Sequence, residues 1–193
     1  MLSQIFQFFK LFRHLSLSDL AKLQSISRMA TYKEGELIAK HGDRFPHIIA
    51  IRKGIIRTYE LKSDGEERTT RLAVDGDITS CSACFMANKP SEEYLEAVED
   101  CKVILISMDK FKRLAKQNIH FMSLHNEGLE DSMLDAIERI RFFIMMTPEE
   151  RYAQLLRKSP HLIQRVPQKY LASYLGVTTV SLSRIRKRIS ESG

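Results

Sequence analysis

An α+β fold is predicted: a strand-rich N-terminal half, one long central helix and a basic helix-turn-helix at the C-terminus. Three observations carry this. From about residue 30 to 107, short apolar or β-branched runs alternate with glycine-containing turns. Leu129, Met133, Ile137, Ile140 and Ile144 then recur at helical steps of four, four, three and four. Finally, QKYLASYLGVTTVSLSRIRKRI, residues 168–189, has one central glycine, no acidic residue and apolar positions at helical spacing.

Composition sets the frame. A chain of 193 residues accommodates one large domain or two small ones. Hydrophobic content of 44% and charged content of 28% are those of an ordinary globular protein. The net charge of +6 is unevenly placed. Nine lysines and arginines and no carboxylate lie between Arg151 and Ser190, so the remainder is mildly acidic. A polycation at one end points to a polyanionic partner there. No stretch approaches the ~20 apolar residues of a membrane span. The start, MLSQIFQFFKLFRHL, is apolar, but Lys10 and Arg13 interrupt it and no small-residue cleavage site follows. Leu2, Ile5, Phe9 and Phe12 fit an amphipathic helix packing on the next domain, with a membrane-surface role as the alternative. Three cysteines make no disulfide framework, which suits a reducing cytoplasm.

The strands follow in order. Leu37–Ala39 is framed by Gly35 and Gly42, and Ile48–Ile51 is ended by Lys53-Gly54. Ile55–Leu61 and Thr69–Val74 flank Ser63-Asp64-Gly65-Glu66, a hairpin turn in which Asp-Gly tolerates positive φ. Cys101–Ser107 reads as a further strand. Many short strands at regular spacing argue for a barrel or sandwich rather than a parallel sheet.

The period then changes. Asp109 can cap a short helix through Lys116, and a longer helix is expected over 122–146. Its stripe (Leu129, Met133, Ile137, Ile140, Ile144) either packs on its own domain or forms a seam against a second copy. Thr147-Pro148-Glu149-Glu150 restarts the helix as a capping box with proline at the first helical position. Pro160 ends that helix and Pro167 begins the next. The boundaries expected are therefore 1–121 for the strand-rich half, 122–146 for the linking helix and 147–193 for the basic half.

In the basic stretch, Gln168–Leu175 forms one helix with Leu171, Ala172 and Leu175 inward. Gly176 supplies the turn, and Thr178 caps a second helix whose stripe is Leu182, Ile185 and Ile189. A small residue, glycine four positions on, and apolar positions six and nine beyond it match the helix-turn-helix that lays its second helix in the DNA major groove. A merely solvated basic tail explains the charge but not this spacing. Thr179, Val180, Ser181 and Arg184 are then the expected readers of base edges, with Arg184 suited to guanine. Gln168, Lys169, Arg186, Lys187 and Arg188 are expected on phosphates.

With these motifs the chain resembles the Crp/Fnr family of bacterial transcription regulators. The resemblance rests on the strand-rich half, the long helix and VPQKYLASYLGVTTVSLSRIRKRI, and it spans nearly the whole chain. It implies a double-stranded β-helix barrel of the cyclic-nucleotide-binding type, a central dimerisation helix and a winged-helix-type DNA-binding domain. The partners it implies are double-stranded DNA and a second copy of the chain, with RNA polymerase as a further one and no membrane.

Two departures stand out. Where nucleotide-responsive members carry glutamate as second residue of the recognition helix, this chain has Val180. Across residues 76–101, GDITSCSACFMANKPSEEYLEAVEDC, the family's Gly-Glu pair is missing, and Ser91, Glu92 and Glu93 stand where its phosphate-gripping arginine belongs. A cyclic phosphate facing carboxylates without a guanidinium would be repelled. Cyclic AMP is therefore not expected as effector, and no cofactor is expected. Cys81 and Cys84, with Cys101, are the candidates for a redox or metal sensor, though a tetrahedral thiolate site wants four ligands. The cysteine-using relatives cluster these residues at the N-terminus, which this chain lacks. A barrel with no effector at all, serving as a dimer scaffold, is the other alternative. A metal-dependent cupin-like enzyme would need a His-x-His pair. His41, His47, His120 and His125 are singletons, and no nucleophile turn or phosphate loop occurs, so no catalytic residues are assigned.

Overall fold

The computed structural model describes residues 15–191, so the expected helix through Leu2, Ile5, Phe9 and Phe12 lies outside the described residues. Eight strands follow one another as β1 (Ser27–Tyr32), β2 (Leu37–Ala39), β3 (His47–Lys53), β4 (Ile56–Leu61), β5 (Glu67–Ala73), β6 (Ile78–Ser80), β7 (Tyr94–Ala97) and β8 (Cys101–Ser107). They form two four-stranded sheets, ordered β1-β8-β3-β6 and β2-β7-β4-β5. The pairings are antiparallel throughout. Ile49, Ile51, Val103 and Leu105 of the first sheet share one core with Ile56, Ala73, Leu95 and Ala97 of the second. The barrel or sandwich expected from strand spacing is thus formed as two sheets closed on a common interior.

Turn chemistry sets the register. Gly65 takes φ 81 in the β4–β5 hairpin, whose ends meet through Lys62 N–H donating to the Glu66 carbonyl at 3.0 Å. Gly54 takes φ 115, and a β-carbon there would come within 2.5 Å of Cys101 Sγ. That close approach is why Lys53-Gly54 separates β3 from β4.

Three strands, β1, β6 and β7, and three helices were not anticipated. β6, α2 (Ser82–Ala87) and β7 all lie within residues 76–101, and β7 alternates Tyr94 and Glu96 outward with Leu95 and Ala97 inward. α1 (Leu17–Ser25) carries a reciprocal capping box between Ser16 and Asp19. α6 (Pro160–Arg165) fills the interval between the two prolines. α3 (Met108–Gln117) corrects the expected cap: Ser107 is the N-cap and Asp109 sits within the first turn. There its charge still suits the helix dipole.

α4 (Ile119–Met145) starts three residues earlier than expected, because Asn118 caps it by accepting the His120 N–H at 2.8 Å. Its 27 residues extend about 40 Å. Only Phe121 and Leu124, near its start, are buried. α5 (Pro148–Lys158) begins at the expected Thr147 capping box. α7 (Gln168–Leu175) and α8 (Thr179–Glu191) complete the chain. Among the described residues no strand follows β8, so the C-terminal half is helical and shows no wing.

Candidate nucleic-acid interface

The helix-turn-helix is built on Gly176. This residue is left-handed at φ 69, and the turn closes with Val177 N–H donating to the Ala172 carbonyl at 3.0 Å. Leu171, Ala172 and Leu175 of α7 bury against Leu182 and Ile185 of α8, with Tyr152 and Leu155 of α5 and Leu162 of α6 beneath. Ala172 is small enough for the two helices to cross closely. Thr178 Oγ1 accepts the Ser181 N–H at 3.1 Å and so caps α8 as expected.

The carbonyls left open at the end of α7 are taken by arginines from neighbouring helices. Arg151 Nε donates to Leu175 O at 3.0 Å, and Arg139 Nη2 of α4 donates to Tyr174 O at 2.6 Å. Two cations at a helix C-terminus are favourable, and the bonds satisfy otherwise orphaned acceptors. The Arg139 guanidinium also lies 3.9 Å from the Tyr174 ring centre and 4.5 Å from that of Phe143. Arg139 and Phe143 were missed as supports of the turn. Their helical spacing on α4 hinted only at an apolar face.

The polycation inferred from the sequence is smaller at the surface. Arg151 is buried, and Arg165 is held by Asp75 at 2.5 Å and Glu99 at 2.5 Å. The Glu99 and Asp75 carboxylates keep the Arg165 guanidinium above its ordinary pKa. Arg151 is thus removed from the surface, and the half-buried Arg165 charge is offset by two carboxylates.

The expected readers mostly do face outward. Thr179, Val180 and Arg184 are exposed on one face of α8 together with Ser183 and Lys187, and Val180 is 60% exposed. Ser181 is half-buried, and its Oγ accepts from the Thr178 hydroxyl at 2.9 Å, so the cap engages it. Gln168 Nε2 donates to Thr179 O at 3.2 Å, bringing the starts of the two helices together. Lys169 and Arg186 are exposed, the former with Nζ 4.5 Å from the Tyr170 ring centre. Lys187 lies 3.8 Å from Glu191, and Arg188 pairs with Glu149 of α5.

The apolar stripe expected to form a seam is half-buried at Leu129 and open beyond it: Met133 is 67% exposed, Ile140 58% and Ile144 74%, with Ile137 also exposed.

In the barrel, residues 76–101 fold onto themselves. Glu93 Oε2 accepts the Ser82 N–H at 3.0 Å and Oε1 the Ser82 hydroxyl at 3.3 Å, so a carboxylate sits at the start of α2. Ser91 is buried, donating to Glu93 O at 2.7 Å, and its Oγ lies 2.9 Å from Cys81 Sγ. Burial pushes the Cys81 thiol up to about 12. Cys101 has different neighbours: Sγ lies 3.4 Å from Ile55 O and 3.2 Å from Glu99 O, and burial raises it to about 11. All three cysteines are free and buried. Among the described residues no group of three or more His, Cys, Asp or Glu could hold a metal ion, and no helix is long and apolar enough to cross a membrane.

The architecture is a two-sheet barrel joined by a long helix to a helix-turn-helix. The model of the cyclic nucleotide-binding domain family matches residues 29–118. The fumarate and nitrate reduction regulatory proteins of Escherichia coli (strain K12) and Salmonella typhi are each 28% identical over 178 residues, covering 87% of this chain and 71% of theirs. FixK2 from Bradyrhizobium japonicum is similar in fold at a TM-score of 0.78 and 18% identity, over 87% of this chain and 86% of that one. A Crp/Fnr-family regulator from Eubacterium rectale gives 0.75 at 21% identity, over 96% and 88%. The chain thus carries a match to the cyclic nucleotide-binding domain over residues 29–118 and is similar over most of its length to regulators of the Crp/Fnr type.

Proposed function

We propose that the protein binds double-stranded DNA sequence-specifically as a homodimer, regulates transcription in the cytoplasm, and does not answer to cyclic nucleotides. The observation that carries this is the exposed α8 face of Thr179, Val180 and Arg184, held on a frame whose turn is closed by backbone hydrogen bonds and whose Tyr174 and Leu175 carbonyls are taken by Arg139 and Arg151. Arg184 is suited to the guanine O6/N7 pair and Val180 to a thymine methyl. Gln168, Lys169, Arg186 and Lys187 serve phosphates, and Arg188 shares its charge with Glu149. Ser181, engaged by the cap, contributes less than its position suggested.

The open stripe from Met133 to Ile144 supports the seam against a second copy, since so continuous an apolar row on a solvated helix calls for a partner. Two copies would place their α8 helices roughly 34 Å apart, in successive major grooves. The Glu93 carboxylate at the start of α2 supports the loss of cyclic-nucleotide binding, because an anionic phosphate brought there meets like charge. The burial of all three cysteines, with the Cys81 and Cys101 thiols pushed up by it, weighs against a thiolate sensor, since the thiolate is the reactive and ligating form.

Selection of binding sites from a random duplex library tests the reading. The expected product is a two-fold symmetric site with half-sites about 10 base pairs apart, bound by two chains. Failure to enrich any sequence at physiological salt would overturn it.

A further inference from the structure

The outer face of the β2-β7-β4-β5 sheet is not a solvent face over Arg57. Strand register sets Arg57 opposite Glu96 and Tyr59 opposite Tyr94, while Leu95 and Ala97 turn inward. An outward arginine is ordinarily exposed. Arg57 is 1% exposed, because α7 covers it.

The cover is specific. The guanidinium carbon lies 3.6 Å from the ring centre of Tyr170 on α7 and 4.0 Å from that of Tyr59. Nε and Nη2 donate to Glu96 Oε2 at 3.3 Å and 2.7 Å, and Nη2 also donates to Glu67 Oε2 at 2.6 Å. The Tyr170 hydroxyl donates to Glu96 Oε1 at 3.0 Å, closing a ring of contacts across the two domains. One turn further along α7, the Ser173 hydroxyl donates to Glu67 O at 3.0 Å and accepts the Thr69 N–H at 2.9 Å. Edge strand β5 is thereby stitched to the helix. Barrel residues Ile55, Leu72, Val74 and Val98 share one apolar cluster with Leu171, Leu175 and Leu182.

α7 is therefore used on two sides. Leu171, Ala172 and Leu175 frame the turn that presents α8, and Tyr170 and Ser173 fasten that frame to the barrel. We propose that Arg57, a barrel residue, is a positioning residue for DNA reading: it clamps α7 and so sets the direction in which α8 meets the groove. The inference rests on the DNA-reading function proposed above. A buried guanidinium paired with carboxylates and stacked on two rings tolerates one geometry, since any displacement strands a charge out of water. The spacing between the half-sites that two copies can read then depends on this clamp.

Two readouts on the full chain test it. The first is backbone hydrogen exchange; the second is affinity for the selected duplex and for the same duplex with one base pair inserted between its half-sites. In Arg57→Gln, exchange over residues 170–175 should rise by at least about tenfold while β3 and β8 keep their protection. The inserted base pair should cost the wild type about tenfold or more and the variant less than about threefold, with affinity for random DNA unchanged. If Arg57→Gln fails to fold, Tyr170→Phe with Ser173→Ala, which leaves every barrel residue in place, should move both readouts in the same direction. Unchanged exchange in 170–175 and an undiminished insertion penalty in the folded variant would overturn the clamp. A wild type that enriches no duplex would instead overturn the DNA-reading function, and the two failures are thus distinct.

Discussion

Phe143 Cε1 lies 2.7 Å from the point where a β-carbon on Gly176 would stand. The long helix is thus packed directly on the turn between α7 and α8, and the turn is glycine for two reasons at once. Its φ of 69 is left-handed, and the space beside it is filled. Gly176→Ala should cost about 2–3 kcal/mol through backbone strain and the clash together. At this chain length that lowers the melting midpoint by roughly 4–12 °C. Phe143→Leu in the same chain should recover the part due to the clash. An unchanged midpoint in Gly176→Ala would show that the turn relaxes freely.

Arg184 and Lys187 share a face of α8 but are assigned different work. Arg184→Ala should weaken binding to the selected site by about 1–3 kcal/mol and leave random DNA nearly unaffected. Lys187→Ala should weaken both and flatten the slope of log affinity against log salt by about one. Equal losses on both DNAs for Arg184→Ala would move that residue to the phosphates, and an unchanged slope would remove Lys187 from them.

The carboxylate of Glu93 at the start of α2 makes a simple expectation for ligands. A ligand at about 100 times its dissociation constant stabilises by roughly 2.7 kcal/mol. Saturating cyclic AMP or cyclic GMP should therefore leave the melting midpoint where it is. A rise of several degrees would show a nucleotide-gated protein and refute the assignment of residues 76–101.

On α4, Ile140 is exposed in the single chain, so Ile140→Glu removes no internal packing. The far-ultraviolet circular dichroism per chain should be preserved while sedimentation shows a shift from two copies to one at micromolar concentration. A variant that stays dimeric places the seam elsewhere.

Asp19 ties α1 to the start of α4. It accepts from the Asn118 side chain at 2.7 Å, from Ser16, and lies 2.7 Å from His120 Nδ1. The His120 bond, followed by those of Ser16, holds its carboxyl well below the usual carboxylate range. A depressed carboxylate contributes stability above its unfolded pKa of about 4 and loses that contribution as pH falls through the folded value. Asp19→Asn should thus melt below the wild type at pH 7, and the gap should close progressively below about pH 4. A gap independent of pH would mean that packing, not charge, is what the substitution removes.

Elements that follow from neighbours in the chain were legible in advance. The Thr147 capping box, the Asp64-Gly65 hairpin, the Gly176 turn and strand Cys101–Ser107 each depend on residues within a few positions, and each was found where expected. Within residues 76–101, β6, α2 and β7 were not foreseen, because such short segments carry no period of their own. The pairing of Arg57, Arg151 and Arg165 was equally out of reach. Each looks like a surface charge in sequence, yet is held by a group far along the chain: Leu175 for Arg151, Glu96 for Arg57, and Glu99 and Asp75 for Arg165. Local propensity and periodicity specify helices, turns and an exposed reading face. Which charges face DNA, and which hold the reader to its barrel, is set by long-range pairing, since a buried charge is stable only where the fold brings its partner.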